Sequence, residues 1–213
     1  MKILLLSAHT DDAETGCGGS VVKFIEEGND VYYVAFSKSE DSLPEGLPKD
    51  TLLNEAKLAT ETLGIKSGHL FVHNYPVRKF PQFRQEILED LVKLNKAMNP
   101  DYVFLPLMND MHQDHHVIAT EGFRAFKIST ILGYEIPSNN ITFTATAFIS
   151  LEKSHVEKKI QALKCYESQR LREESLGRKR SNPERLMALS QVRGYQIRAD
   201  YAEAFNLVRW IIR

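Results

Sequence analysis

Four times in succession the chain passes from a short apolar run into an amphipathic stretch, and few folds tolerate that alternation. Ile3-Leu4-Leu5-Leu6 is unbroken, as a strand buried on both faces must be. Residues 14–28 then have helical character and stop at Gly28-Asn29-Asp30. Val31 to Phe36 is β-branched and aromatic, a second strand. A loop over 37–50 leads to a helix over 51–63, closed by Gly64, and to a third strand from His69 to Val72. Residues 82–98 carry Phe83, Ile87, Leu88, Leu91 and Leu94 at helical spacing and end at Asn99-Pro100-Asp101. Tyr102 to Leu105 is the fourth strand, and 114–127 the fourth helix. The pattern predicts an α/β chain with a mostly parallel sheet and helices on both faces.

The remainder is less regular. Strands are expected near 131–135 and 141–149, helices near 152–168 and 182–192, and a last strand from Phe205 to Ile212. The charged segment 170–184 reads as a surface loop. The whole chain, 1–213, is expected to be one domain. Two cysteines, Cys17 and Cys165, lie far apart and form no metal knuckle or disulfide framework. With a net charge of −1 the chain lacks the basic excess of a nucleic-acid binder. The apolar run before His9 is too short for a signal peptide, and nothing approaches a membrane span, so a cytoplasmic protein is expected. Charge is nevertheless lopsided: residues 1–150 sum to −7 and 151–213 to +6. The tail either exposes solvated charged faces or packs its cations against the acidic first part.

Chemistry concentrates in two places. Ala8-His9-Thr10-Asp11-Asp12-Ala13-Glu14 follows the first strand directly, and Asp110-Met111-His112-Gln113-Asp114-His115-His116 follows the fourth. In a doubly wound sheet the first and fourth strands commonly lie side by side where the strand order reverses, and ligands bind there at the strands' carboxyl ends. Both clusters then face one crevice. Imidazole and carboxylate suit zinc, and a catalytic zinc keeps three protein ligands with one open position. His9 and Asp12, three apart on a strand-to-helix turn, can point at one ion, and His115 completes the set. Asp11 is left beside the water whose proton must be taken. Each cluster alone has a plainer reading. Asp11 and Glu14 have the spacing of a capping box, and the histidines could sit on a helix start. Gly16, Gly18 and Gly19 do not form G-x-G-x-x-G, since Val21 stands at the third glycine. Close packing of the first helix, or room for a ligand, explains them better.

A-H-T-D-D-A-E and H-Q-D-H resemble the A-H-P-D-D-x-E and H-x-D-H signatures of the LmbE-like (PIG-L) zinc-dependent de-N-acetylases. Glu55 to Gly64 and Tyr201 to Phe205 are similar to that family's helix before strand three and to its C-terminal element. The resemblance implies a Rossmann-like fold and Zn2+ as cofactor. It implies hydrolysis of the N-acetyl group of an amino-sugar conjugate, a small molecule, to acetate and a free amine. Carried over residue by residue, it makes His9, Asp12 and His115 the metal ligands and Asp11 the general base. His112 becomes the acid or oxyanion stabiliser, acting if protonated, with Asp114 as its supporting partner. Thr10 departs from the family's proline, which removes stiffness from the turn but no ligand. The family's basic residue near the Glu55 position is also absent, so a substrate-gripping cation must come from elsewhere; Arg78, Lys79, Arg84 and Arg124 are candidates. The rivals are a metal- or sugar-nucleotide-binding module without catalysis and a metal-free nucleotide-binding domain. Whether the chain forms a homo-oligomer stays open.

Overall fold

The computed structural model describes residues 1–177 and 183–212. The strands are β1 (Lys2–Ser7), β2 (Asp30–Ala35), β3 (Leu70–Val72), β4 (Tyr102–Pro106), β5 (Thr130–Tyr134), β6 (Ala147–Leu151) and β7 (Tyr201–Arg209). The helices are α1 (Asp12–Glu26), α2 (Thr51–Leu63), α3 (Arg84–Met98), α4 (Gln113–Ala125), α5 (Lys153–Lys164), α6 (Glu167–Ser175) and α7 (Pro183–Gln196). All seven strands join one sheet in the order β3-β2-β1-β4-β5-β7-β6. β1 pairs in parallel with both β2 and β4, so the strand order turns between β1 and β4, as the alternation predicts. β7 runs antiparallel to β5 and β6 on either side of it. The fold is α/β and Rossmann-like, with a mostly parallel sheet.

Period-two alternation in β1 separates the two cores. Ile3 and Leu5 face Val21 of α1 and Ala56 and Leu63 of α2. Leu4 and Leu6 face Ile87 and Leu91 of α3 and Val117 and Ile118 of α4. That two-sided burial is why the strand reads as a continuous apolar run. Helix α1 lies very close to the sheet. A Cβ on Gly16 would run into the Tyr134 ring, and one on Gly19 would come within 2.7 Å of Leu151 Cδ1. The glycines therefore serve close packing. Gly16→Ala should destabilise the fold by about 1–3 kcal/mol through overpacking. The melting temperature should fall by about 2–4 °C for each of those kcal/mol. A melting temperature equal to that of the parent chain would show that α1 can shift outward freely.

Where the second half departs from the sequence reading, side chains explain it. β6 begins at Ala147 rather than near 141, and Ile141 is exposed. β7 begins at Tyr201, because Glu203, which interrupts its apolar pattern, is buried with partners. Its carboxylate accepts from Lys159 Nζ at 2.6 Å, Ser20 Oγ at 2.6 Å and the backbone N–H groups of Gly19 and Ser20 at 3.0 and 2.7 Å. The helix expected over 152–168 breaks between α5 and α6, where Tyr166 leaves helical geometry and turns inward. Residues 170–175, expected as loop, continue as α6, while 178–182 lie outside the described residues. Tail cations do meet the first part: Arg193 makes two 2.8 Å bonds to Glu135, and Lys158 and His155 pair with Glu26. Cys17 is buried in the core, Cys165 is half-buried, and both are free thiols. No described helix is long and apolar enough to cross a membrane.

Candidate active site

The loops that leave β1 and β4 meet at the carboxyl ends of those strands. His9 and His115 approach through Nδ1 and Nε2, which are 3.2 Å apart. The Asp12 carboxylate closes a triangle with them: Oδ1 is 3.3 Å from His115 Nε2 and Oδ2 is 3.6 Å from His9 Nδ1. Asp12 also accepts the His9 backbone N–H at 2.7 Å, which fixes the turn between β1 and α1. The His112 ring lies edge-on to His9 and stacks on His115. Ligating atoms of His9, His112 and His115 all fall within 4.8 Å of one another, a group that can hold a metal ion.

The far side of each ring is committed as well. His115 Nδ1 lies 3.0 Å from Asp110 Oδ2, and His9 Nε2 lies 3.1 Å from Asp114 Oδ2. A carboxylate on one ring nitrogen selects the tautomer whose other nitrogen presents a lone pair. His9 Nδ1 and His115 Nε2 are thereby aimed at the same point. His112 is oriented the opposite way. As N-cap of α4 its Nδ1 accepts the Asp114 backbone N–H at 3.2 Å, so the neutral ring carries its proton on Nε2. Asp114, expected beside His112, sends its carboxylate instead to His9 and to the backbone N–H groups of Arg78 (2.5 Å) and Phe80 (3.2 Å). Asp110 holds both His115 and the His112 backbone N–H, the latter at 2.7 Å. The sequence reading gave it no role, although its place five residues before His115 was a signal.

Charge follows this wiring. Burial would lower the His115 pKa, but Asp12 and Asp110 outweigh it and push it up to about 10. Burial also opposes charge on His9, and Asp12 and Asp114 reverse that too. Burial would raise Asp12, yet His115 and His9 hold it well below the usual carboxylate range. The donor set is built to surround positive charge. His112 is different: burial, then His9 and His115, lower it to about 4, so the condition of a protonated ring is not met at neutral pH.

Glu14 does not close a capping box with Asp11, whose side chain makes no cap bond to α1. It is fully buried, and the hydroxyls of Tyr33 and Tyr166 each lie 2.7 Å from one of its oxygens. The same two hydroxyls reach the Thr10 carbonyl. Burial pushes the Glu14 pKa up to about 8, so it is mostly protonated at neutral pH and supplies a third proton to a network with four short contacts. Two tyrosines thus stiffen the turn that lacks the proline.

A cleft of about 970 Å³ opens over these groups, lined by His9, Asp11, Asp12, His112 and His115. Of the cations expected to grip substrate, Arg78 lines it, with a left-handed backbone (φ 66°) held by the Asp114 bond. Lys79 is exposed and is not among the lining residues. Arg84 and Arg124 both pair with the buried Glu121, away from the lining. Arg172 and Arg185, in or beside the stretch expected as a loop, do line the cleft.

The sequence model of PIG-L, GlcNAc-PI de-N-acetylase, matches residues 4–126, more than half of the chain and both loops of the site. The chain belongs to the PIG-L family. It is a deacetylase of that family, a metal-dependent amidase. Among relatives of this PIG-L protein is the uncharacterized deacetylase YaiS of Escherichia coli K12, 28% identical over 78% of this chain and 90% of its own. Its fold is shared with the N,N'-diacetylchitobiose deacetylase of Pyrococcus horikoshii, solved with an inhibitor (TM-score 0.76, 22% identity, 97% of this chain and 83% of that one). The zinc-inhibited form of teicoplanin deacetylase Orf2 superposes over the full length of both chains (TM-score 0.78, 15% identity). So does GalB, the 4-carboxy-2-hydroxymuconate hydratase of Pseudomonas putida KT2440 (TM-score 0.76, 19% identity, 100% and 98%). The fold therefore hosts more than one reaction, and the substrate must be argued from the site.

Proposed function

We propose that this PIG-L protein uses zinc, held by His9, Asp12 and His115, to hydrolyse the N-acetyl group of an amino sugar or its conjugate. The observation that carries the reading is the convergence of His9 Nδ1 and His115 Nε2, 3.2 Å apart, on the Asp12 carboxylate, whose Oδ2 lies 3.6 Å from the first and Oδ1 3.3 Å from the second. Tetrahedral zinc with bonds of about 2.0–2.2 Å needs edges of about 3.3–3.6 Å. His112 stands outside the ligand set because its Nδ1 already accepts a backbone N–H and its other nitrogen carries the proton. Support also comes from the low His112 pKa and from Asp11, which lines the cleft one residue before the Asp12 ligand.

Zinc in this position supplies Lewis acidity toward the acetyl carbonyl and lowers the pKa of water to about 7. The chain's own groups do the rest. Asp11 takes the proton of the attacking water. The His112 Nε2–H donates to the acetyl oxygen as negative charge develops there, a neutral donor that need not lose its proton. The C–N bond breaks as the proton held by Asp11 passes to the leaving amine, giving acetate and a free amino sugar. Arg78, Ser138 and Asn139, which line the cleft, would orient sugar hydroxyls.

An acetate-release screen over N-acetylated sugars, sugar nucleotides and glycosides with zinc-reconstituted protein tests the reading. At least one acetamido sugar should be turned over, and treatment with a chelator should abolish it. Stoichiometric zinc with no acetate from any substrate would leave a binding module instead. Asp110 gives a finer check. Asp110→Asn removes the carboxylate that aims His115, and such partners are commonly worth about 10–100-fold in metal affinity. Competition with a chelating dye should show a loss of that size, and an unchanged affinity would mean that Asp110 only caps the loop.

A further inference from the structure

The hydrolysis proposed above leaves part of the cleft unused. Arg172 of α6 and Arg185 of α7 line it together with Asp11 and His112, and neither guanidinium has a hydrogen-bond or ion-pair partner among the described residues. Four other arginines are neutralised: Arg84 and Arg124 by Glu121, Arg193 by Glu135, Arg170 by Glu167 and Glu174. Helix α6 is also held in place. The Ser168 N–H and hydroxyl donate to the Glu55 carboxylate at 2.8 and 2.5 Å, and Gln169 Nε2 reaches the Ser42 carbonyl at 3.5 Å. Gln169 and Arg172 are three apart and share one helix face, which sets Arg172 beside the turn over residues 39–42.

That turn contributes a second observation. Ser39 lines the cleft, has a left-handed backbone (φ 56°) and is only 4% exposed, yet its hydroxyl has no partner. Buried hydroxyls rarely go unpaired unless something absent completes them. Besides Asp11 and Asp12 at the metal site, the one acid lining the cleft is Glu173. Guanidinium groups recognise carboxylates and phosphates through paired N–H donors, and a serine hydroxyl adds another.

We propose that Arg172, Arg185 and Ser39 form a subsite for an anionic group, carboxylate or phosphate, which the substrate carries beyond its acetamido sugar. The proposal rests on the reading of the cleft as an amino-sugar site. It narrows the substrate class to acidic conjugates and leaves free neutral sugars as poor ligands.

Calorimetry on the zinc-loaded protein tests it with three deacetylated ligands: methyl glucosaminide, glucosamine 1-phosphate and the glucosaminide of glycolate. At least one anionic ligand should bind at least about tenfold tighter than the methyl glycoside. The advantage should shrink as salt is raised to about 0.3 M. The double substitution Arg172→Gln, Arg185→Gln should bring the ratio close to one. Which anion wins identifies phosphate or carboxylate. Equal binding of all three ligands, or a preference that survives the double substitution, would overturn the subsite. The same ratio should appear in kcat/KM for the N-acetylated forms. Acetate release without anion preference would sink the subsite and keep the deacetylase. Anion preference without acetate release would keep the subsite and sink the deacetylase.

Discussion

His115→Ala should abolish zinc binding and acetate release together. His115 is buried and sits at the vertex that joins His9, Asp12 and Asp110. Its removal leaves two of the three proposed ligands and an Asp110 oxygen that has lost its ring partner inside the protein, an uncompensated buried charge. Losing a supporting carboxylate commonly weakens a metal site by about 10–100-fold, so losing the ligand itself should exceed that. Atomic absorption after dialysis should find little zinc, with acetate release near background. His112→Ala provides the contrast. It should keep zinc near one equivalent while turnover drops by about 10²–10³, the usual worth of one donor to a developing oxyanion. Zinc lost from His112→Ala but kept in Asp12→Asn would move the ligand set to the three histidines.

The second large effect belongs to Asp11. Asp11→Asn should bind zinc normally, because its side chain faces the cleft and takes no part in the donor triangle. Turnover should nonetheless fall by about 10²–10⁴, as expected when a general base is removed. The KM for the best substrate should change little, since the amide is not held by that carboxylate. An Asp11→Asn protein with full turnover would take Asp11 out of the mechanism. If Asp11→Asn loses zinc and Asp12→Asn retains it, the two aspartates have exchanged roles.

The parallel half of the fold could be read from the sequence because its signals are local. Burial on both faces makes β1 apolar from Ile3 to Leu6, and Gly28, Gly64 and Asn99 end their elements where a left-handed residue is needed. The antiparallel edge could not be read the same way. β7 carries Glu203 in its interior, and only Lys159, Gly19 and Ser20, from two distant helices, make that carboxylate acceptable.

The candidate site divides along the same line. The sequence determined which residues could do metal-assisted amide chemistry, because His9, Asp11 and Asp12 are neighbours in the chain and His112 and His115 lie one helical turn apart. It also placed both groups at strand ends that right-handed crossovers bring side by side. The tertiary structure alone decided how each ring is wired. Asp114 turned to His9, Asp110 took His115, and the α4 cap made His112 Nδ1 an acceptor while burial and the other two rings lowered its pKa. It alone also moved the cations, committing Arg84 and Arg124 to Glu121 and bringing Arg172 and Arg185 to the cleft. Local sequence encodes backbone geometry and residue type, whereas a pKa or a free guanidinium depends on which distant side chains arrive within a few ångströms.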